Sequence, residues 1–252
     1  MADESQVTPS AFNCEGGLVL NKSTFMMQPG EALELENFEP DIEGGYRRIS
    51  GYSKYVSVVV PYTSSASEKV LMVATFGSNV LAARGTSIYS ATPGGSSWTS
   101  IDSGRTGASK YRFERFNFDG TDKIIFVDGT NAPVVFNSSL SATDVSDSSV
   151  AGATYVAIFR DHVFYAGMTG SPQELVFSAP FDEDSFSSGQ GAGSIKVDDT
   201  ITGIKVFRDN LFVFCENRIF KLAGSSVTNF TMTDITRDIG CINGDTIQEF
   251  AG

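Results

Sequence analysis

The sequence is poor in the residues on which most catalytic and metal sites depend. Its 252 residues include one histidine, His162, one tryptophan, Trp98, and three cysteines that lie far apart. An odd number of cysteines without a Cys-x-x-Cys spacing predicts neither a disulfide framework nor a metal site, and it is typical of a reducing compartment. We also expect no membrane span and no signal peptide, because the apolar runs are short and the start is acidic and polar.

Positive charge is scarce as well. The chain has 18 basic and 30 acidic residues, so its formal net charge is −12. Proteins that bind nucleic acid through its phosphates carry the opposite balance, so this one is not expected to read DNA. The acidity fits two alternatives: a surface past which DNA moves without adhering, or a surface that only needs to stay soluble.

No pattern of reactive residues predicts catalysis. His162 occupies a place that a related segment fills with Asn210, and no nucleophile motif accompanies it. The acidic stretches 180–186 and 197–201 lack the spacing of a calcium loop, so we expect solvated loops there. The glycines of 189–193 lack the strand-to-helix context of a nucleotide site. We therefore expect no enzymatic activity, no metal and no cofactor.

The residues that are abundant predict an all-β fold. Glycine (25) and phenylalanine (20) are frequent, and short apolar runs alternate with turn-forming residues. Phe-Arg-Asp begins at Phe159 and again at Phe207, and each copy is flanked by similar apolar runs. Repeats of 40–50 residues built from strands indicate β-propeller-like blades of short antiparallel strands, with room for about four or five. A two-sheet sandwich is the competing architecture.

Several segments carry specific structural predictions. We expect strands at 52–62 and at 110–120, and a hairpin over 123–137. Interleaved arginine and phenylalanine in 110–120 also resemble an RNA-binding strand, but a half-buried strand explains them better. The Arg-Asp pairs are predicted to form hairpin turns in which Asp bonds its own backbone and Arg covers the strand edge.

The organisation along the chain is predicted to have two parts. Residues 1–45 form an extended N-terminal arm and a turn block, and residues 46–252 form the β-propeller-like domain. Turn formers are dense between Glu39 and Arg48, where Pro40 fixes one backbone angle and the Gly44-Gly45 pair allows another to be positive.

The arm and the following block resemble a family of phage structural proteins. The shared residues are Gly16-Gly17-Leu18, then Pro29-Gly30, then Asn37-Phe38, and then a run of Gly45, Arg47, Arg48 and Gly51. This pattern resembles the tail tubular B, or nozzle, proteins of short-tailed phages and related virion proteins of marine phages. The stretch 155–224, with both Phe-Arg-Asp copies, is similar to the same family.

The resemblance implies a virion protein without catalytic activity. It implies a homo-oligomeric ring, expected to be six-fold, assembled in the host cytoplasm and contacting other tail or neck proteins such as adaptor and fibres. The genome would pass through the ring without specific binding, and no membrane would be involved except at the host surface. Nozzle proteins are usually longer, so we expect either a piece of a longer chain or a last blade completed by a partner; a neck or baseplate position also stays open.

The arm is the expected interface of that ring. It could add a strand to the sheet edge of a neighbour, while the two arginines anchor the arm or a neighbouring acidic loop, or form only an exposed turn. The interface residues predicted in this way are Leu18, Leu20, Phe38, Tyr46, Arg47 and Arg48. From another class of protein, the alternative is a carbohydrate-binding or glycan-hydrolysing β-propeller, against which the single tryptophan argues.

Overall fold

The structure, a computed structural model, describes residues 16–41 and 45–249. Cys14, like the rest of residues 1–15, lies outside them. Contacts divide the chain into two units, Met1–Lys54 and Tyr55–Gly252. The described residues fold as β-strands joined by loops and four single-turn 3-10 helices, at Thr24–Met26, Ser148–Val150, Ser188–Gln190 and Gly244–Thr246. The all-β prediction is therefore confirmed.

The first unit contains two small sheets. Strands β1 (Gly17–Leu18) and β2 (Glu31–Ala32) pair in parallel, and β3 (Phe38–Pro40) and β4 (Tyr46–Arg48) form an antiparallel hairpin. The boundary predicted between residues 45 and 46 falls within this hairpin. Among the described residues of this unit only Gly30 is buried. The described part of the first unit thus has strands but no buried side chain.

The second unit consists of four blades, each a four-stranded antiparallel sheet whose strands follow one another in sequence. The first blade is β5 (Val70–Phe76), β6 (Asn79–Arg84), β7 (Ser87–Ala91) and β8 (Thr99–Ser103). The second is β9 (Arg112–Phe116), β10 (Lys123–Val127), β11 (Val134–Asn137) and β12 (Ala142–Asp144). The third is β13 (Tyr155–Phe159), β14 (His162–Ala166), β15 (Glu174–Phe177) and β16 (Gly193–Lys196). The fourth is β17 (Ile201–Phe207), β18 (Asn210–Cys215), β19 (Ile219–Ala223) and β20 (Thr231–Thr236).

Each hydrophobic cluster of this unit lies between two neighbouring blades. Phe76 and Leu81 of the first blade pack with Phe126 of the second. The second and third blades share another cluster, and the third and fourth blades share the one that contains Phe164 and Leu211. Within the described residues, no cluster joins the fourth blade to the first. The β-propeller-like prediction is confirmed as a row of four blades packed face to face.

One predicted strand is wrong. Residues 52–62 form no strand, although their composition is rich in valine and tyrosine. Residues 55–62 follow an irregular path against the first blade, where Trp98 Nε1 donates to the Val58 carbonyl at 3.1 Å and Arg84 donates to the Val60 carbonyl. The side chain of Val56 is buried, and Pro61 has no backbone donor for a strand ladder. Val56 therefore packs under this segment, while the other valines and tyrosines stay at the surface instead of extending the sheet.

The predicted hairpins are confirmed. Strands β10 and β11 pair antiparallel within 123–137, and β9 lies within 110–120. Both Arg-Asp pairs occupy turns between strands, with Arg160, Asp161 and Arg208 at positive φ, as tight hairpin turns require. The predicted roles of the side chains need correction: Arg160 reaches the neighbouring blade, and it is the main chain of Asp161, accepting from Phe181 at 2.8 Å, that bonds.

Candidate functional site

Two sites stand out in the blade unit: a charged cavity along the first strands of the blades, and an apolar groove on the last blade. The first strands of the second, third and fourth blades, β9, β13 and β17, lie side by side. Together with the segment around Gly244 they line a cavity of about 310 Å³. Its charged lining residues are Lys110, Arg112, Glu114, Lys205 and Asp245.

Asp245 is held in the cavity wall by two cations. Its carboxylate lies 2.7 Å from Lys110 Nζ and 2.9 Å from Arg112 Nη2. The guanidinium of Arg112 also lies over the ring of Tyr155, 4.7 Å from its centroid, which is a cation–π geometry. The hydrogen bond from Lys110, supported by the charge of Arg112, lowers the pKa of Asp245, so this carboxylate stays ionised.

Glu114, in the same cavity, has the opposite environment. Burial raises the pKa of Glu114, and the charge of Lys205 opposes that shift only in part. Two carboxylates whose pKa values are moved in opposite directions are the arrangement that acid–base chemistry uses. The cavity therefore combines an ionised carboxylate, a carboxyl group with a raised pKa and an aromatic ring.

The groove lies on the side of the fourth blade that faces away from the third. We call this side the end face; it consists of Lys205, Phe207, Phe212, Phe214, Ile219 and Ile235. The groove has a volume of about 510 Å³, and Ile247 contributes to its wall. Alternate residues of β18 explain it: Leu211, Val213 and Cys215 point to the third blade and are buried, whereas Phe212 and Phe214 remain partly exposed.

The predicted interface residues all lie in the first unit. Phe38 and Tyr46 meet edge to face with centroids 5.5 Å apart, and Arg47 pairs with Glu39 at 3.0 Å. Arg48 is exposed opposite Phe38 in the hairpin register. The structure thus brings four of the six together in the β3–β4 hairpin.

The other two predicted residues, Leu18 and Leu20, lie in and just after β1. Their side chains are 51% and 78% exposed. Sequence reasoning missed a more exposed neighbour, Phe25, whose side chain is 99% exposed in the first 3-10 helix. The short apolar run Phe25-Met26-Met27 has neither helical nor strand periodicity, so no pattern in the sequence marked Phe25.

The structure gives contacts to His162 and to the acidic loop 180–186. His162 is 2% exposed, its Nδ1 lies 2.6 Å from the Ser178 carbonyl, and aromatic rings surround it. Glu183 of the 180–186 loop forms an ion pair with Lys123 of the second blade at 2.7 Å. That loop is therefore not purely solvated as predicted, because Glu183 is mostly covered. Residues 16–41 and 45–249 hold no cluster of side chains suited to a metal ion.

Comparison with known proteins gives neighbours in structure alone. No family model matches the sequence, and no curated protein matches it. A solved structure of YCF48 bound to D1 peptide is 10% identical, with a TM-score of 0.47 over 71% of this chain and 56% of that one. The N-terminal domain of Nup159 is 7% identical, with a TM-score of 0.45 over 66% of this chain and 47% of that one.

A third neighbour is the extracellular domain of the putative one component system BT4673 from B. thetaiotaomicron. It is 12% identical, with a TM-score of 0.49 over 72% of this chain and 24% of that one. The chain therefore spans between about a quarter and somewhat more than half of the length of these neighbours. No helix of the described residues has the length and apolar character to cross a membrane.

Proposed function

We propose that this chain is a structural component of a bacteriophage virion. In this proposal it forms part of a homo-oligomeric ring in the tail nozzle, tube or neck, around the channel through which DNA leaves. The supporting sequence signal is the resemblance of residues 14–55 and 155–224 to the nozzle proteins of short-tailed phages. The acidic net charge of −12 supports the same role, because an acidic channel lets DNA slide without adhering.

One structural observation carries the proposal: the first unit exposes its large apolar side chains. Phe25, Leu20 and Tyr52 are 99%, 78% and 92% exposed, and no side chain of the described part of this unit is buried. Exposed apolar surface of this kind marks a site of protein association. An arm without its own core is the element that an assembly would order at the contact with a neighbour.

The test is quantitative mass spectrometry of purified particles from the source. A virion ring predicts peptides of this chain at a fixed, low copy number relative to the major capsid protein, about six or twelve. Cryo-electron microscopy of the same particles would then place the copies in the tail or neck. Absence of the chain from particles would exclude the virion role.

The glycan-binding alternative is favoured by one observation, the cavity that holds Glu114 and Asp245. Their pKa values are moved apart, and both carboxyl groups line one cavity with the ring of Tyr155. A glycan array and a hydrolysis assay with wild type and Glu114→Gln test it. Binding or cleavage that the variant loses would support this function, and an inactive wild type would exclude it.

A further inference from the structure

The third blade packs on the fourth through a surface built from the Phe-Arg-Asp repeat. The fourth blade repeats this surface on its end face. In the third blade the rings of Phe159 and Phe164 lie 6.0 Å apart, and the guanidinium of Arg160 lies 5.3 Å from the ring of Phe159. In the fourth blade the rings of Phe207 and Phe212 lie 6.3 Å apart. These are the matching positions of the Phe-Arg-Asp repeat, so both blades build the same aromatic pair.

The arginine is repeated with the aromatic pair. Arg208 lies 5.2 Å from the ring of Phe207 and has φ of 51°, close to the 49° of Arg160. The two blades therefore present the same arrangement of two rings and one guanidinium on the same side of the sheet.

The two copies differ in what covers them. Phe159 and Phe164 are 4% and 0% exposed, because Phe230 of the fourth blade packs on both rings at 6.1 and 5.9 Å. Phe207 and Phe212 remain partly exposed and border the groove of the end face.

The hydrogen bonds differ in the same way. Arg160 donates to the carbonyls of Gly224 and Asp209 in the next blade. Arg208 has no hydrogen-bond acceptor among the described residues. The end face is thus built as an interface for an aromatic side chain and for an acceptor at Arg208. Gln248 and Glu249 of the described chain line the wall of its groove, but neither forms a hydrogen bond with Arg208.

The first unit carries the acceptor groups and the exposed aromatic ring that such an interface needs. Residues 16–41 contain five carboxylates against one lysine, and Glu34 and Glu36 are exposed without an ion-pair partner among the described residues. The end face carries cations, Lys205 and Lys221 on the sheet and Arg208 at its edge. Phe25, almost wholly exposed, provides an aromatic side chain that can pack on the rings lining the groove.

We infer that the end face binds the N-terminal unit of a second copy of this chain, with Phe25 in the groove and Glu34 or Glu36 at Arg208. Phe25 then takes the place that Phe230 occupies between the third and fourth blades. The contact joins different surfaces of the two copies, so its repetition closes a ring or extends a filament. The inference rests on the homo-oligomeric assembly of the proposed function, but not on its phage role.

The first test compares assembly of the full-length chain and two variants by sedimentation velocity over a concentration series. Wild type is expected to associate, and Phe25→Asp is expected to raise the dissociation constant at least about tenfold, since a charge cannot enter an apolar groove. The control is Val59→Asp, which places the same charge on a 77% exposed side chain of the first-blade side and should assemble as wild type does.

The second test uses charge reversal, because Arg208 is exposed and its substitution leaves the core intact. Arg208→Glu is expected to weaken assembly, and Arg208→Glu combined with Glu34→Lys and Glu36→Lys is expected to recover it. A mixture of the Phe25→Asp and Arg208→Glu chains retains one intact contact per pair, so it should form heterodimers and nothing larger.

Defined outcomes would overturn the inference. These are a wild type that stays monomeric up to about 100 μM, a Phe25→Asp chain that assembles as wild type does, or a failure of the triple charge reversal to recover assembly. A monomer in which hydrogen exchange around Phe25 is slowed would instead assign the groove to the same chain's own arm. Particle mass spectrometry is independent of these results, so the phage role and the contact can fail separately.

Discussion

The guanidinium of Arg160 in the third blade donates to the carbonyl oxygen of Gly224 in the fourth, at 3.1 Å. The side chain that the sequence places in a hairpin turn thus links two blades. Its counterpart one repeat later, Arg208, has no such acceptor in the described structure, so the pair offers a substitution and its matched control within one molecule.

Arg160→Ala is expected to lower the free energy of unfolding by about 0.5–1.5 kcal/mol, the usual range for hydrogen bonds of a partly exposed charged group. Arg208→Ala in the monomeric chain should change it by less than about 0.5 kcal/mol, because no bond is lost. Urea denaturation monitored by circular dichroism, which follows the strands of all four blades, measures both. Equal losses in the two variants would contradict a bridging role for Arg160.

Arg105 connects the first two blades more deeply. It is 5% exposed, forms ion pairs with Asp102 and Asp144, and donates to the Ala132 carbonyl at 2.7 Å. We expect Arg105→Ala to cost about 2–4 kcal/mol, since it leaves carboxylates without their partner. Arg237→Ala, which breaks an exposed pair with Asp234, should cost less than about 1 kcal/mol. Similar costs for the two substitutions in urea denaturation would show that burial of the pair has no effect.

The stability should depend on pH through Glu114. Because burial raises its folded-state pKa above the ordinary 4.5, the folded state prefers the protonated form. The contribution of protonated Glu114 to the stability of the fold is fully present below pH 4.5, and it is lost as the pH rises through the folded pKa. Glu114→Gln should therefore raise the melting temperature at pH 7, by about 1–3 °C, and leave it unchanged near pH 4.

Asp245→Asn, in the same cavity, should change the stability at pH 7 in the opposite direction. The folded pKa of Asp245 is lowered below 3.8, so its contribution is present above that pH and is lost as the pH falls through the folded pKa. The variant should melt below wild type at pH 7, and this difference should disappear in strong acid. For the other carboxyl group, a Glu114→Gln chain that melts below wild type at pH 7 would contradict the prediction that burial raises the pKa of Glu114.

The thiols should report on the fourth blade. Cys215 is fully buried, and burial raises its pKa to about 12, whereas Cys241 is partly exposed. In a Cys14→Ser chain, a thiol reagent at pH 8 should label one cysteine in the native state and the second only on unfolding. Peptide mapping identifies the labelled site, and fast native labelling of Cys215 would contradict the packing of β18 against the third blade.

Local signals in the sequence predicted most of the fold. Alternation in 110–120 and the paired runs of 123–137 gave strands because side chains of a half-buried strand face opposite sides in turn. The Phe-Arg-Asp repeat indicated the blades because each copy marks the hairpin at the same place. The strand predicted at 52–62 is wrong. Valine-rich composition indicates apolar side chains, but a strand also needs a neighbouring strand with which its backbone can pair, and the composition does not show one.

The candidate sites were beyond such reasoning. The ion pair of Arg112 with Asp245 joins residues 133 positions apart, and no local pattern relates them. In the sequence, β18 cannot be distinguished from a strand buried on both faces, because the exposure of Phe212 depends on what packs beside the blade. The repeat contained the signal nonetheless: two equal motifs predict two equal interfaces, and the structure shows that no other described blade packs on the second.

The row of blades has a thermodynamic consequence. A blade within the row is supported by packing on both sides, whereas the fourth has its cluster on one side only. In such arrays each contact with a neighbour adds its own increment of stability, so a blade packed on one side only opens more readily than a blade packed on both. If a second copy covers the end face, that opening becomes linked to association by mass action, and the melting temperature rises with protein concentration. The protein would then be most resistant to unfolding when it is assembled, and most easily proteolysed when it is dilute.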